Sequence, residues 1–326
     1  AKPSIAQYSV VANNAMRFGS GTEIFGPIHV NGGIRFDGLA HNIVTSSSNT
    51  YTDTDSDACT TNNSYGVHTC LSPADPTSPT ALPSRPDVFE AWRLIGQPSI
   101  SFSSFTTDLA TLKANAIANG FYRDSAGSGY VGYHIVLKTN DTFALYKINS
   151  WASLGSCSSS PSGTSSWSIG TQTLQGNYAP PGNGAIFIED HVVVNGQIDG
   201  ARLTITAADL PIPSNHANYK NIIINNDVRY TNYNGTDAIG LIGQGGVMVG
   251  LISETDLSID GALIAQNDRV GRFYYYGGSC THKNKTIISL FGMLASYGRY
   301  GFAYTDGTGY ATRQITYDGN LLYGPP

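Results

Sequence analysis

Short runs of β-branched residues, each ended by a Gly, Asn or Asp corner, recur through the second half of the chain. From residue 184 onward they include AIFIED, VVVNG, QIDG, RLTIT, NIIINND, GGVMVG, LSIDG and ALIAQ. The triplet Ile/Phe-Asp-Gly occurs at residues 36–38, 198–200 and 259–261, and Val-Asn-Gly precedes the first two of these. Runs this short bury an apolar row only by stacking on one another, so the repeat limits the chain to a few β-architectures.

The spacing of the repeats favours a coil of parallel strands. Gly200 and Gly261, which end the last two triplets, lie 61 residues apart (261 − 200), and this distance accommodates about three solenoid turns of ~20 residues. We therefore predict a mainly β protein, a β-solenoid similar to a parallel β-helix, with Ile and Val rows inside and Gly or Asn at the corners. Asn-Gly pairs are also hairpin signals, so an antiparallel β-sandwich is the alternative.

Composition divides the chain into six regions. Residues 1–50 are predicted to supply the first solenoid strands, and residues 51–84 a polar loop. Residues 85–150 are predicted to form a small α/β insertion, in which the helix TTDLATLKANAIANG precedes a hairpin of YHIVLK and FALYKI. A Ser/Gly-rich loop is expected at 151–183, the main solenoid at 184–300, and a Tyr-rich C-terminal cap at 301–326.

Charge is scarce and evenly spread. Charged residues make up 13% of the chain, about half the usual share of roughly 25%, whereas Ser, Thr, Asn, Gly and Tyr are abundant. This composition is typical of β-rich extracellular proteins. The 18 Lys and Arg residues form no cluster in the sequence, so nucleic-acid binding is not predicted.

The chain shows no membrane-spanning segment. Its longest uncharged apolar run, AIGLIGQGGVMVGLIS at 238–253, contains five Gly and is shorter than the ~20 residues that a bilayer requires. Because the chain has no signal peptide and begins with Ala1 rather than Met, we expect a processed or truncated exported protein.

The four cysteines are Cys59, Cys70, Cys157 and Cys280, and they include no C-x-x-C pair. A structural zinc site is therefore not predicted. Of the three possible pairings, Cys59–Cys70 would close a short polar loop, while Cys157–Cys280 would join distant segments. We expect disulfides and an oxidising, extracellular compartment; four buried free thiols are the alternative.

Glu189, Asp190 and His191 stand side by side and resemble an acid–base cluster. Alternating Ile and Val residues on both sides place the three at a bend between two strands. Adjacent side chains there point in different directions, and a solvated corner offers neither the separation nor the shifted pKa values that acid–base catalysis needs. We interpret the three as polar corner residues.

Parallel β-helix enzymes that act on polysaccharides carry acids and bases stacked from successive turns. The candidates in this chain are Arg202, Arg229 and Arg269, with Asp199, Asp227 and Asp260. Their spacing is irregular, and two of the aspartates precede Gly corners, where Asp commonly hydrogen-bonds its own backbone. No nucleophile-elbow, zinc-protease or phosphate-loop motif stands in a supporting context. We predict that the protein is not an enzyme.

The DTDSD segment places Asp53, Asp55 and Asp57 at alternate positions in a polar loop. Such a loop supplies the oxygen ligands that calcium prefers. The segment lacks the Gly and Glu of an EF-hand, so a solvated acidic loop is the alternative. No other cofactor is predicted.

Tyrosines are dense in the C-terminal fifth of the chain. A Tyr side chain buries a flat face and keeps a polar tip, as at interaction surfaces. We predict a binding surface formed by Tyr274, Tyr275, Tyr276, Tyr297, Tyr300 and Tyr304. A cap over the open end of the solenoid is the alternative.

A series of segments in a specific order carries a family resemblance. They are FGPIHVNGGIRFDG, GYHIVLKTNDTFALYKI, GAIFIEDHVVVNGQIDGARLTI, NIIINNDVRY, IGLIGQGGVMV, LSIDGALIAQNDRVG and TRQITYDGNLLYGPP. The chain resembles PilX-like, type IV pilus-associated exported bacterial proteins, which are prepilin-like proteins with a β-solenoid head. The resemblance implies a head displayed at the cell surface or on a pilus, acting in adhesion, assembly or uptake, and it supplies no catalytic residues.

We therefore predict a non-catalytic extracellular structural or adhesion module, similar to the head of a minor pilin. The expected partners are other pilus or surface-filament subunits, or a surface ligand such as a glycan. Two alternatives stay open. A carbohydrate-active β-helix enzyme acting on acidic polysaccharide would show a groove lined by carboxylates and Arg from successive turns, and a self-assembling filament subunit would associate with increasing concentration.

Overall fold

The computed structural model describes residues 5–55, 64–76, 81–102, 104–160, 165–324 and 326. Short strands dominate it. In the first half they are β1 (Val10–Ala12), β2 (Met16–Phe18), β3 (Thr22–Phe25), β4 (Ile28–Val30), β5 (Ile34–Phe36), β6 (Leu39–Ala40), β7 (Val44–Ser46), β8 (Thr50–Tyr51), β9 (Ser64–Tyr65), β10 (Val67–His68), β11 (Arg93–Leu94), β12 (Phe121–Arg123), β13 (Gly132–Lys138) and β14 (Thr142–Trp151). Helix α1 spans Ser104–Asn119.

The second half continues in the same way. Its strands are β15 (Ser158–Ser160), β16 (Ile169–Tyr178), β17 (Ala185–Ile188), β18 (Val192–Ile198), β19 (Arg202–Ala207), β20 (Ile222–Ile223), β21 (Val228–Tyr230), β22 (Ala238–Gly243), β23 (Val247–Val249), β24 (Asp256–Ala265), β25 (Val270–Arg272), β26 (Tyr274–Tyr276), β27 (Asn284–Ser296) and β28 (Gly309–Tyr317). A short helix, α2, spans Asn320–Tyr323, and 3-10 turns lie at Ile5–Gln7 and His216–Asn218.

Most strands pair in parallel within one 21-stranded sheet. Among the described residues, antiparallel strand pairs are limited to β8–β9, β13–β14, β14–β16 and β15–β26. The protein is thus mainly β with a large parallel sheet. This arrangement is compatible with the predicted coil and does not match the antiparallel sandwich.

The parallel pairs form three columns. Column one contains β12, β17, β19, β22, the second halves of β24 and β27, then β1, β4, β7 and β11. Column two contains β13, β18, β20, β23 and β25, and the parallel group β2–β5–β10 lies beyond it. Column three contains the end of β18, β21, the first halves of β24 and β27, then β28, β3 and β6.

The start of the chain stacks on its end. Leu294 of β27 lies opposite Val10 of β1, and Ile315 of β28 lies opposite Ile24 of β3. Residues 1–50 supply parallel strands, and these follow the C-terminal strands in the stack. The cap predicted at residues 301–326 is not present, because this region supplies β28 to the interior of the stack. The physical reason is that an open parallel edge accepts a strand from anywhere in the chain if its apolar row continues the core.

The inward Ile and Val residues form one continuous apolar cluster. Ile186, Ile188, Val192 and Val194 belong to it, and each is at most 1% exposed. Full burial of such a side chain contributes roughly 1.5–3 kcal/mol. The recurring apolar pairs thus point into a shared core, as the sequence pattern predicts.

Glycine allows two long strands to bend between columns. β24 and β27 belong to column three and then to column one, and the bends contain Gly261 (φ +143°) and Gly292 (φ +151°). A Cβ atom on Gly292 would lie 2.0 Å from the carbonyl oxygen of Gly261. Only glycine fits this close backbone contact.

The predicted helix and hairpin are present, but they do not form an insertion. In α1, Leu109 and Ala116 pack against Phe187 and Ala208, and β13 pairs antiparallel with β14. However, β12 and β13 also pair in parallel with β17 and β18, so region 85–150 supplies strands to columns one and two. Region 151–183, predicted as a loop, contains β15 and β16, because the sheet edge at β14 gives β16 a partner.

The polar tract 51–84 also contributes to the folded body. Val67 of β10 is buried, and Asp75 accepts hydrogen bonds from two buried arginines, Arg85 and Arg93. These two arginines neutralise the buried Asp75 carboxylate, which water would hydrate in an exposed loop.

Cys157 and Cys280 form a disulfide, as predicted. Cys70 is also disulfide-bonded, whereas Cys59 lies outside the described residues. Within the described part of the chain, no helix is long and apolar enough to cross a membrane.

Candidate functional site

A cavity of about 1000 Å³ is lined by residues of β2, β3, β5 and β28 and by Arg269, which precedes β25. Residues 299–308, which lead from β27 to β28, form one wall. Ionisable side chains dominate its polar lining: five arginines, two aspartates and three tyrosines, namely Arg17, Arg35, Arg269, Arg299, Arg313, Asp37, Asp55, Tyr300, Tyr304 and Tyr310. We call this space the arginine cavity.

Four of the arginines occupy successive levels of the stack. Arg17 and Arg35 are direct partners in the parallel β2–β5 pair. A parallel bridge two residues beyond Arg269 and Arg299 places these two at equivalent positions as well. Asp55 forms ion pairs with both Arg17 and Arg299, which joins the two sets. Because neighbouring strands lie about 4.8 Å apart, these residues form an arginine ladder in the order Arg269, Arg299, Arg17, Arg35.

Asp55 binds the middle of the ladder. Arg299 donates from Nη1 to Oδ1 (2.9 Å) and from Nη2 to Oδ2 (2.6 Å), and Arg17 Nη1 donates to Oδ2 (2.9 Å). The hydrogen bonds from Arg299, followed by those from Arg17, lower the pKa of Asp55 to about 2. The carboxylate is therefore ionised at every physiological pH.

Arg35, at the end of the ladder, is a structural part of the wall. It donates to Asp37 (2.7 Å) and to Asp53 (2.8 Å), and all three side chains are buried. Asp37 in turn accepts the backbone N–H of Cys70. The charge of Arg35 is thus matched within the protein.

Arg269 and Arg313 have no carboxylate partner among the described residues. Arg313 donates to the Thr22 hydroxyl and to backbone carbonyl oxygens of residues 19, 20, 310 and 311. Arg269 donates to the Tyr304 hydroxyl (2.8 Å) and to the carbonyl oxygen of residue 272 (2.9 Å). Counted over the described residues, positive charge is therefore in excess in the cavity.

Two more buried cations lie behind the cavity wall. Arg272 donates to the carbonyl oxygens of residues 251, 282 and 283, and Lys285 donates to that of residue 253. Burial, followed by the charge of Arg272, lowers the pKa of Lys285 to about 8. These cations satisfy corner carbonyl groups and add to the positive potential, which attracts anions to a cleft.

Tyr300 carries a hydroxyl group with no hydrogen-bond partner in the described part of the protein. Its side chain lines the cavity and is 5% exposed. Burial raises the pKa of Tyr300 to about 12, so the hydroxyl stays protonated and is a donor. An unpaired buried polar group costs about 1–3 kcal/mol, and because this hydroxyl is closed to solvent among core side chains, the cost falls on the stability of the fold.

The predicted tyrosine surface is divided by the fold. Tyr300 and Tyr304 line the arginine cavity, and Tyr276 and Tyr297 are each 40% exposed outside it. Tyr274 is half-buried and donates to Asp306 (2.8 Å). Tyr275 is fully buried and donates to a backbone carbonyl oxygen, so its inclusion in a surface is wrong: in a strand, neighbouring side chains point to opposite faces.

Glu189, Asp190 and His191 do not converge. Glu189 accepts hydrogen bonds from Lys113 and from the Tyr122 hydroxyl, Asp190 accepts backbone N–H groups, and His191 Nδ1 accepts the N–H of residue 221. This agrees with three separate corner residues. The corner is not solvated as predicted, however, because Asp190 is buried and Glu189 and His191 are only partly exposed. This burial lowers the pKa of His191 to about 4.

The six stacked Arg and Asp candidates do not come together as one group. Arg229 contacts Asp260 (3.3 Å) and Asp227 (3.7 Å), whereas Arg202 donates to backbone carbonyl oxygens and Asp199 accepts from an Asn side chain. Of the six, Arg269 alone is among the residues that line the arginine cavity.

The predicted calcium ligands Asp53 and Asp55 each form an ion pair with a different arginine. Asp53 and Asp55 each accept hydrogen bonds from arginine, and Asp57 lies outside the described residues. Across the described ranges, no three His, Cys, Asp or Glu side chains are grouped to hold a metal ion. Calcium binding stays a prediction.

The sequence analysis did not identify Arg17, Arg35, Arg299 or Arg313. A signal was present, because Arg precedes an aromatic residue at 17–18, 35–36, 229–230, 272–273 and 299–300, and three of these five arginines, Arg17, Arg35 and Arg299, line the cavity. The dipeptide is short, and its copies lie far apart in the chain. Its meaning depends on the stacking of both ends of the chain on each other.

Comparison with protein-family models, curated proteins and solved structures returned no match for this chain. The function proposed below is therefore inferred from the charges and contacts of the arginine cavity.

Proposed function

We propose that this chain is a β-solenoid module displayed outside the cell, and that it binds an anionic ligand in the arginine cavity without catalysing a reaction. The alignment of Arg269, Arg299 and Arg17 on successive levels carries the proposal. Guanidinium groups bind anionic oxygens through two parallel hydrogen bonds. Their regular spacing suits a ligand whose charges repeat along its length.

An acidic glycan is the ligand class that fits this cavity. Its volume of about 1000 Å³ lies at the upper end of the roughly 300–1,000 Å³ of small-molecule sites, which leaves room for more than one sugar ring. Tyr304 offers an aromatic face beside the arginines. Polar and aromatic groups of this kind suit a sugar that carries carboxylates.

The proposed location is the cell surface. The Cys157–Cys280 disulfide is a type of bond that persists in oxidising compartments. The resemblance to PilX-like proteins motivates a place on or near a type IV pilus, with other pilus subunits as partners. Glycan binding would there serve adhesion.

The test is isothermal titration of the protein with oligogalacturonate. We expect binding that weakens with salt, and a loss of about tenfold or more in affinity for Arg269→Ala and for Arg299→Ala, because each removes a charge-assisted hydrogen-bond donor. Arg229→Ala, an exposed arginine outside the cavity, is the matched control and should bind normally. Absence of binding to acidic oligosaccharides, or unchanged binding by the Arg269/Arg299 double variant, would refute the proposal.

A carbohydrate-active enzyme is the second candidate, because Arg and Asp side chains from successive levels meet in the arginine cavity. This is the groove expected of an enzyme acting on acidic polysaccharide. Prolonged incubation with polygalacturonate separates the two functions. New reducing or unsaturated ends that disappear in Arg299→Ala would favour the enzyme over the binding module.

A self-assembling filament subunit is the third candidate, favoured by strand β16. Among the described residues β16 pairs with β14 alone, most of its side chains are exposed, and its sequence IGTQTLQGNY carries no charge. Exposed uncharged edges are templates for further pairing. Sedimentation at increasing concentration, with Thr173→Lys as the variant that should stay monomeric, tests this candidate.

A further inference from the structure

Asp55 differs from the other acidic residues of the arginine cavity in its exposure. Its side chain is 21% exposed and that of Arg299 is 40% exposed. The Arg35–Asp37–Asp53 group is closed to solvent, since its side chains are at most 8% exposed. Arginine therefore pairs with aspartate twice in this region: Arg35 does so in a buried structural contact, and Arg299 does so with Asp55 at an accessible position.

Asp55 also lies in a different part of the chain from Arg17 and Arg299, the two arginines that it pairs with. It follows β8 in the polar tract, whereas Arg17 lies in β2 and Arg299 follows β27. Its carboxylate lies against the guanidinium group of Arg299 with two hydrogen bonds and accepts a third from Arg17. A planar carboxylate on a ligand would make the same three bonds.

We infer that the Arg17–Arg299 pair is the carboxylate-binding subsite of the cavity, occupied in the free protein by Asp55, and that a uronic-acid carboxylate binds there by displacing Asp55. This inference rests on the proposed function and names its ligand class as a uronate-containing glycan. Arg269, which has no carboxylate partner among the described residues, then contacts the neighbouring sugar. The displaced Asp55 carboxylate is then hydrated by solvent.

The primary test compares Asp55→Asn with Asp87→Asn in titrations with trigalacturonate. Both substitutions remove one negative charge from an arginine pair, but Asp87 is exposed, pairs with Arg85 and lies outside the cavity. We expect Asp55→Asn to bind about ten- to hundredfold more tightly than the unmodified protein, the factor that corresponds to one charge-assisted hydrogen bond. Asp87→Asn should bind as the unmodified protein does.

A second measurement leaves Asp55 intact. Thr54 is exposed beside it, and none of the described cysteines, at 70, 157 and 280, is free, so Thr54→Cys gives a labelling site for an environment-sensitive fluorophore. Saturating trigalacturonate should change the emission because residue 55 moves away from its arginines. The methyl ester of trigalacturonate, which lacks free carboxylates, should leave it unchanged, and a sulfated trisaccharide shows whether the subsite prefers carboxylate.

The outcomes separate this inference from the proposed function. If neither the unmodified protein nor Asp55→Asn binds any acidic oligosaccharide, the proposed function is wrong. If the unmodified protein binds but Asp55→Asn binds equally or more weakly, Asp55 positions the arginines and the inference alone is wrong. Emission that is unchanged on binding leads to the same rejection.

Discussion

Leu294 lies directly opposite Val10 in a parallel strand pair, and both side chains are fully buried. A strand near the start of the chain therefore continues the stack of strands near its end. The same closure brings Arg17 and Arg35 to the levels that follow Arg299. The arginine cavity thus depends on the contact between the two ends of the chain.

The stacking of β1 on β27 predicts a large effect of Leu294→Ala on stability. This substitution leaves a cavity between β27 and β1, so we expect the free energy of unfolding to fall by about 2–5 kcal/mol. Leu174→Ala, at a position 51% exposed in β16, should change it by less than about 0.5 kcal/mol. Denaturant unfolding measures both, and equal effects would show that β27 is not covered by β1.

Gly292 is expected to tolerate no side chain. In Gly292→Ala the new Cβ would overlap the carbonyl oxygen of Gly261 at 2.0 Å and strain a positive φ, so a loss of about 2–4 kcal/mol is expected. Gly278→Ala is the control, because a Cβ there meets nothing within 4 Å. Thermal melts of the two variants should differ clearly, and a melt of Gly292→Ala like that of the parent would argue against the shared bend.

The Cys157–Cys280 disulfide closes a long loop. The two residues are 123 positions apart, so in the chain-entropy account the double variant Cys157→Ala/Cys280→Ala loses about 4–5 kcal/mol. Denaturant midpoints under non-reducing conditions measure the effect. Reductant should lower the midpoint of the parent toward that of the variant, and no change with reductant would contradict the prediction.

The lowered pKa of His191 predicts that the protein loses stability in acid. Burial, followed by the charge of Lys220, lowers its pKa in the folded protein to about 4, below about 6.5 in the unfolded chain. Its contribution is therefore complete above about pH 6.5 and is lost as the pH falls toward 4, by an amount on the order of 2 kcal/mol. His191→Gln does not titrate, so the difference in unfolding free energy between parent and variant should shrink over this interval; a constant difference would exclude the shift.

Tyr300→Phe is expected to separate stability from binding. Because the hydroxyl is buried without a partner, its removal should raise the free energy of unfolding or leave it unchanged, by up to about 1 kcal/mol. Because the hydroxyl is closed to solvent, the same change should leave oligogalacturonate binding unchanged. Tyr276→Phe, outside the cavity, should alter neither quantity. Loss of stability in Tyr300→Phe would mean that the hydroxyl is satisfied in the folded protein.

Local patterns were sufficient for several elements. The alternation in Ile186–Ile188 and Val192–Val194 identifies inward rows, since side chains in a strand alternate between faces. The apolar spacing of Leu109 and Ala116 identifies the face of α1, and Cys157–Cys280 was one of few possible pairings. The separation of Glu189, Asp190 and His191 also followed from strand geometry alone.

The sequence by itself determined that the alternating Ile and Val rows are buried and that short strands must stack, because alternation and glycine corners act over a few neighbouring residues. Only the tertiary structure decided the order of stacking, in which Val10 meets Leu294 and β28 lies inside column three. Pairing between parallel strands uses backbone groups that every residue shares, so no local pattern specifies the partner. The arginine ladder, assembled from residues 269, 299, 17 and 35, is a consequence of that order.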